Sequence, residues 1–513
     1  MKKTAYKFGP VVFITLISFF AVVSVSAATP VPPSSLATEA RSTEELQGMK
    51  GLDERDNGAT FSASAEKPGK KKLFSANKPE MSGDPVWDSI KQKNIDAEGK
   101  LALAGLIDIA LKNAPATSEA WNNINVAAAQ KQQAESAFYP QVALSGRIQG
   151  EDTVSNVAAN KLRNNFVSPS AKITYLLFDF GGTAAQVDNT LHKLAAADAQ
   201  YNQALQDLVL NVEVAYYTLY GAQAAYEAAK ADVANNKANY DAAKEKFDAG
   251  LAVELDVFQA KTNYENALYE QENAKYNVKS GKANLAKTIG VSADAAFDIA
   301  APLEEISVKV LEEEVSSAIE EAIKARPDVV SFRENLKAAE ALKRAAFAGF
   351  FPTINLTGTG GKTWAQYYTP YKRHVGDTDL TGYVSVDWNI FSGFNDVAVS
   401  KQADAEAKIA MDQLIDAELG ASADVWIKYF SFNAAVQKFA LGKSQYETAS
   451  VSYNLAKESY DAGLKTILDL LQAQSGLSTA RKQFIQSRQD VFTSLAGLAH
   501  SIGSPNARIA VAK

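Results

Sequence analysis

The residue types that usually carry catalysis are sparse and scattered in this 513-residue chain. It has no cysteine, and its three histidines, His192, His374 and His500, lack the spacing of metal ligands or of a nucleophile and its base. Gly358-Thr359-Gly360-Gly361 follows a strand-like segment but opens no helix, so it reads as a loop and not as a phosphate cradle. Acidic residues are plentiful, yet they fall on helix faces where solvation is their ordinary role. No enzyme activity and no cofactor are indicated. The charged and aromatic residues that do recur in pattern gather beside two turns. Phe247-Asp248-Ala249-Gly250-Leu251 precedes Leu255-Asp256-Val257-Phe258-Gln259-Ala260, and Tyr460-Asp461-Ala462-Gly463-Leu464 precedes Leu468-Asp469-Leu470-Leu471-Gln472-Ala473.

These two passages lie 213 positions apart (Phe247 to Tyr460, Asp256 to Asp469), and the same offset pairs Phe178 with Phe391, Tyr216 with Tyr429 and Gly290 with Gly503. Tyr139-Pro140 and Phe351-Pro352 pair at 212. A repeat held in register over so long a period implies one structural unit duplicated in tandem. The first unit is assigned to residues 96–300 and the second to 301–503, with a tail at 504–513.

Lys2, Lys3 and Lys7 precede an apolar run from Val11 to Val25 and the small residues Ser26, Ala27 and Ala28. That is the pattern of a secretory signal peptide, assigned to residues 1–27. The run is shorter than the ~20 apolar residues of a spanning helix. The absence of cysteine excludes a disulfide framework and an N-terminal lipoprotein anchor. Removing three lysines takes the formal charge from −7 to about −10, and an acidic chain without a basic patch is a poor nucleic-acid binder. Residues 28–95 are rich in Pro, Ser, Glu and Lys and read as a disordered arm.

From Ala184 to about Phe247 there is no proline and, apart from Gly221, no glycine. Ala, Gln, Leu, Lys, Glu and Asp dominate, all but Asp strong helix formers. The second copy repeats the pattern from about Asp396 to Asp461. These are expected as long helices at about 183–248 and 395–461. Each ends at an Ala-Gly-Leu turn, where glycine can take the left-handed cap conformation. Return helices follow, at about 252–288 and 465–501. Helices of this length cannot enclose a globular core and must pack as coiled coil. Each copy also carries helical pattern before its strands, interrupted by Pro115 and by Pro327.

Four segments alternate with period two, at about 141–149, 171–179, 353–360 and 381–391. Val142, Leu144 and Ile148 oppose Ser145 and Arg147; Val384, Val386, Trp388 and Ile390 oppose Tyr383, Ser385, Asp387 and Asn389. The expected length of 9 to 11 residues suits a tilted strand in a bilayer. Tyr139, Trp388 and Phe391 near the ends match the aromatic girdles of outer-membrane barrels. Four strands cannot close, and an open edge is not tolerated in lipid, so several chains are required. Three chains give twelve strands. The links at about Gly150–Pro169 and Gly358–Leu380 read as long polar loops.

Phe138-Tyr139-Pro140-Gln141-Val142, Leu177-Phe178-Asp179-Phe180-Gly181-Gly182, Ile390-Phe391-Ser392-Gly393-Phe394 and Tyr460-Asp461-Ala462-Gly463 with Asp469-Leu470-Leu471-Gln472-Ala473-Gln474, in this duplicated order of helices and strands, resemble the TolC family of outer-membrane efflux proteins. The resemblance spans about residues 100–503. It implies an α+β membrane protein: a homotrimer whose outer-membrane β-barrel, four strands per chain, stands on a periplasmic α-helical coiled-coil barrel. It also implies an exit duct for drug efflux or type I secretion. The partners would be a periplasmic adaptor (membrane fusion) protein and an inner-membrane RND or ABC transporter. By the same resemblance the tunnel closes at its periplasmic tips, where Tyr460, Lys465, Asp469 and Gln472 face Leu255 and Asp256. Lys465 with Asp256 is the expected charged link, and Asp469 from three chains an acidic ring that would select cations. The turn residues Gly250, Leu251, Gly463 and Leu464 are the implied adaptor contact. The chain departs from a reference member of the family in having Lys465 for Arg, Gln472 for a second Asp and Leu255 for a hydroxyl residue. These changes remove a bidentate bond, half the ring charge and a partner for Tyr460. Few Met and His argue against a dedicated copper or zinc exporter. A periplasmic coiled-coil structural or adaptor protein without a channel would explain the hairpins but not the two strand pairs.

Overall fold

The structure is a computed structural model and describes residues 100–154, 161–302, 315–368 and 372–503. The signal-peptide, arm and tail assignments lie outside the described residues. All the described residues belong to one compact unit, Met81–Lys513.

Prolines set the first breaks. Helix α1 (Leu103–Asn113) stops at Ala114, and Pro115 opens α2 (Pro115–Glu135). In the second copy α5 (Val315–Ala325) stops at Arg326, and Pro327 opens α6 (Pro327–Ala348). Proline cannot continue the preceding helix but fits the first turn of the next, where its missing N–H costs nothing. The long helices α3 (Gly182–Asp248) and α7 (Asn395–Asp461) are 67 residues each, about 100 Å at 1.5 Å per residue. Their return partners are α4 (Glu254–Thr288) and α8 (Ile467–Ile502). A two-residue parallel bridge joins β1 (Lys100–Leu101) to β4 (Asp298–Ile299).

The duplication persists in the packing. Val212 and Val425, Tyr216 and Tyr429, Leu219 and Phe432, and Leu285 and Leu498 are all buried, each pair 213 positions apart. Leu106, Val212, Tyr216, Leu285 and Ile289 belong to one cluster where α1, α3 and α4 meet. Tyr429, Phe432, Val491 and Leu498 form its counterpart on α7 and α8. Elsewhere α3 buries small or polar residues, Ala185, Ala196, Ala199, Ala229 and Ala243 alongside Asn189, Thr190, Asp232, Asn236 and Asn239.

Strands β2 (Gln141–Val154), β3 (Lys161–Phe178), β5 (Thr353–Tyr368) and β6 (Lys372–Asp387) form one antiparallel sheet in the order β2-β3-β5-β6. The two copies join at β3–β5, and β2 and β6 are open edges. The strands are 14, 18, 16 and 16 residues long, longer than the alternation indicates. The stretches read as long loops are therefore mostly ladder. Asn164↔Tyr367 and Gly361↔Asp379 are among their registered pairs. Glycine and polar residues there hide the period-two signal, while main-chain hydrogen bonds carry the strand regardless of side chain. Gly358-Thr359-Gly360-Gly361 lies inside β5, not in a loop. A Cβ on Gly358 would come within 2.9 Å of Ile173 Cγ2 on the neighbouring strand. β6 ends at Asp387, short of the expected 391, and the Trp388 indole donates to the Phe350 carbonyl at 3.1 Å.

One face of the sheet is apolar and open. Leu144, Ile148 and Leu380 are 84%, 86% and 82% exposed, and Val142, Val384 and Val386 share that face. The other face is polar, with Ser145 and Ser170 hydrogen-bonded across β2 and β3 at 2.8 Å. Among the described residues no helix is long and apolar enough to cross a membrane.

Candidate functional site

The repeated turns form the tips of the two hairpins, where helices α3, α4, α7 and α8 share one apolar cluster containing Ala243, Ala260, Tyr453, Tyr460, Ile467 and Leu470. Both long helices end alike. Leu251 N–H donates to the Lys246 carbonyl, and Leu464 N–H to the Ser459 carbonyl, each at 2.8 Å. Gly250 and Gly463 between them have φ of +74° and +76° with open space where a Cβ would sit, so backbone conformation alone requires glycine. Leu251 and Leu464 project into solvent, each 79% exposed.

The two return helices start differently. Thr466 caps α8: its hydroxyl accepts from Asp469 N–H at 3.3 Å, and the Asp469 carboxylate accepts from Thr466 N–H at 3.1 Å. This reciprocal capping satisfies two orphan donors. The Thr466 hydroxyl and backbone, with Lys465, hold the Asp469 carboxyl below the usual carboxylate range. In the first copy Val253 occupies the cap position, and α4 has no side-chain cap. Asp256, the counterpart of Asp469, bears instead on Tyr460. Burial pushes the Tyr460 phenol up, and Asp256 and Asp461 add to the shift.

Within the chain Lys465, in the turn before α8, pairs with Asp469 at 3.7 Å. The two positions are four residues apart across the start of α8, and Asp256 stands on the other hairpin. Lys465, Asp469 and Gln472 line one groove between α7 and α8. Leu255 is 62% exposed, and the buried Tyr460 hydroxyl has no hydrogen-bond partner.

Sequence patterns missed two contacts that join the hairpins. The Lys246 ammonium, in the last turn of α3, lies 3.7 Å from the centre of the Tyr460 ring and also donates to the Tyr460 carbonyl. Further from the tips, the buried Asp232 of α3 accepts from Arg481 Nη1 and Ser478 Oγ of α8, both at 2.6 Å, and from Gln474 Nε2 at 3.4 Å. Residues 249 positions apart (232 to 481) leave no local spacing to read. Two of the three histidines have structural partners: His192 Nδ1 lies 2.8 Å from Glu334, and His500 Nε2 lies 2.7 Å from Asp207.

Comparison with known proteins places this architecture. The outer membrane efflux protein family matches residues 106–291 and 318–504, one match per repeat. Protein CyaE of Bordetella pertussis is 25% identical over 385 residues, covering 75% of this chain and 80% of that one. Outer membrane protein TolC of Escherichia coli is 24% identical over 386 residues, covering 73% and 76%. The solved outer membrane protein VceC of Vibrio cholerae shares the fold with a TM-score of 0.68 at 21% identity, over 78% of this chain and 96% of that one. The chain thus belongs to the outer membrane efflux protein family, and it is an outer-membrane exit duct of efflux or type I secretion with a large periplasmic helical part.

Proposed function

We propose that three copies of the chain close one gated duct, a twelve-strand barrel continuous with a twelve-helix tunnel. The observation that carries this is the four-stranded sheet. β2 and β6 each have an unpaired edge, and the apolar face is open. Backbone donors and acceptors left unpaired in lipid cost several kcal/mol each, so an edge of that kind needs a neighbour. The β6 edge of one copy meets the β2 edge of the next, and three copies suit a barrel of known size.

The duct joins a periplasmic adaptor, through the exposed turns around Gly250, Leu251, Gly463 and Leu464, to an inner-membrane RND or ABC transporter. Its cargo is small molecules or unfolded protein. Its gate lies at the hairpin tips. Asp469 and Gln472 from three copies surround the axis, and Tyr460, Lys465, Leu255 and Asp256 set how firmly the tips stay together. One Asp per copy, half satisfied by its own cap, makes a weaker cation-selecting ring than two would. The four strands and the family match favour this over a periplasmic coiled-coil adaptor.

Channel recordings test it. The protein reconstituted in a planar bilayer should conduct, and D256A or K465A should raise that conductance. Recovery of the protein in the soluble periplasmic fraction, or no conductance at all, would refute the duct. Unchanged conductance in both variants would remove those two residues from the gate.

A further inference from the structure

We infer that Lys246 is the latch that holds the two hairpin tips of one chain together in the closed duct. The inference rests on the gated-duct reading. The two hairpins pack chiefly through α3 and α8, and at the tips Lys246 gives α3 a cation at its last turn that reaches α7. That cation makes two contacts with a single residue of α7, over the Tyr460 ring and on the Tyr460 carbonyl. The carbonyl belongs to the last turn of a 67-residue helix, where the macrodipole concentrates negative partial charge and favours a cation. The ring face adds a cation–π attraction. Both contacts join the same two elements.

The duplication shows how the latch arose. The counterpart of Lys246, 213 positions on, is Ser459, and the counterpart of Tyr460 is Phe247. One turn has the cation without an aromatic hydroxyl, and the other has the phenol without the cation. Two copies of one turn have become complementary halves of a contact. The Tyr460 hydroxyl plays no part in it, being buried without a partner. The ring and main chain do the holding, so the latch does not need the hydroxyl residue that Leu255 replaces.

A contact present in only one of two states biases their equilibrium by its own free energy. Losing both interactions of Lys246 should raise the open probability about tenfold. The test uses the full-length protein reconstituted in planar bilayers. K246M keeps the stem and removes the cation, and Y460L removes the ring from the other side. Each should raise open probability about tenfold, and the double variant should add little to either. K246R should pull the value back toward wild type. K244M removes the same charge from a neighbouring exposed position and should not open the duct. Amide hydrogen exchange on the intact protein supplies an independent readout, with K246M speeding exchange at 458–464 while leaving 212–219 unchanged. Wild-type closure in K246M, or equal opening in K244M, would overturn the latch. A wild-type protein that never conducts would instead overturn the duct reading, and the latch with it.

Discussion

Removing Asp232 should weaken the union of the two hairpins more than any other single truncation at their interface. Its side chain is 9% exposed and that of its partner Arg481 is 17% exposed, with 2.6 Å between charged atoms. Ser478 and Gln474 complete its hydrogen bonding. D232A leaves a guanidinium facing alanine in a site water hardly reaches, and stripping one partner from a buried pair costs about 3–5 kcal/mol. R481A leaves the more buried carboxylate without its cation, but Ser478 and Gln474 still donate to it, so the loss should be smaller, about 2–3 kcal/mol. The double variant orphans neither charge. Its loss should therefore fall short of the sum of the singles by about 1.5–3 kcal/mol. Denaturant unfolding of the detergent-purified protein, followed by helical circular dichroism, reads all four corners of the cycle. Additive losses within about 0.5 kcal/mol would mean the two charges do not depend on each other and would rule out a buried, coupled pair.

Gly290 has φ of +75°, and a Cβ there would lie 2.6 Å from the Asn113 carbonyl oxygen; G290A should cost about 2–4 kcal/mol by thermal unfolding, and an unchanged melting temperature would contradict that contact. Y460F should leave stability unchanged or raise it by up to about 1 kcal/mol, because it removes a buried hydroxyl without a partner; a clear loss would mean the hydroxyl is bonded. Hydrogen bonds from Lys343 and Lys408 hold the Asp404 carboxyl at about 2, and Arg326 and Lys337 lower those of Asp328 and Glu334 against the opposing effect of burial. Depressed carboxylates stabilise the fold fully above their ordinary range and lose that contribution as pH falls toward their folded values. Stability should thus be flat just above pH ~5 and fall between about pH 4 and 2; a rise on acidification over that window would contradict the pairings.

The turns were legible because glycine in a left-handed cap is a local requirement, and so were the helices, because 67 residues without proline and nearly without glycine permit little else. The offset of 213 positions also relates residues that the structure buries alike, as with Val212 and Val425. Strand ends were not legible. Beyond Gly150 and before Ala171 the ladder is sustained by main-chain bonds that no alternation of side chains marks. The tip chemistry was half legible. Asp256 and Asp469 occupy matching positions, but only Asp469 has a threonine to cap, so identical residues serve different ends. Nothing in the sequence marks Lys246, because its partner lies on another hairpin, 214 positions away, and one lysine among many helix-surface lysines has no distinguishing pattern.

Electron microscopy of the full-length protein purified in detergent tests directly that this chain forms the wall of a hollow duct. A duct should appear as a threefold hollow cylinder longer than about 100 Å, with a short detergent belt at one end where the sheets close. Single copies, solid rods or filaments without a central channel would contradict it.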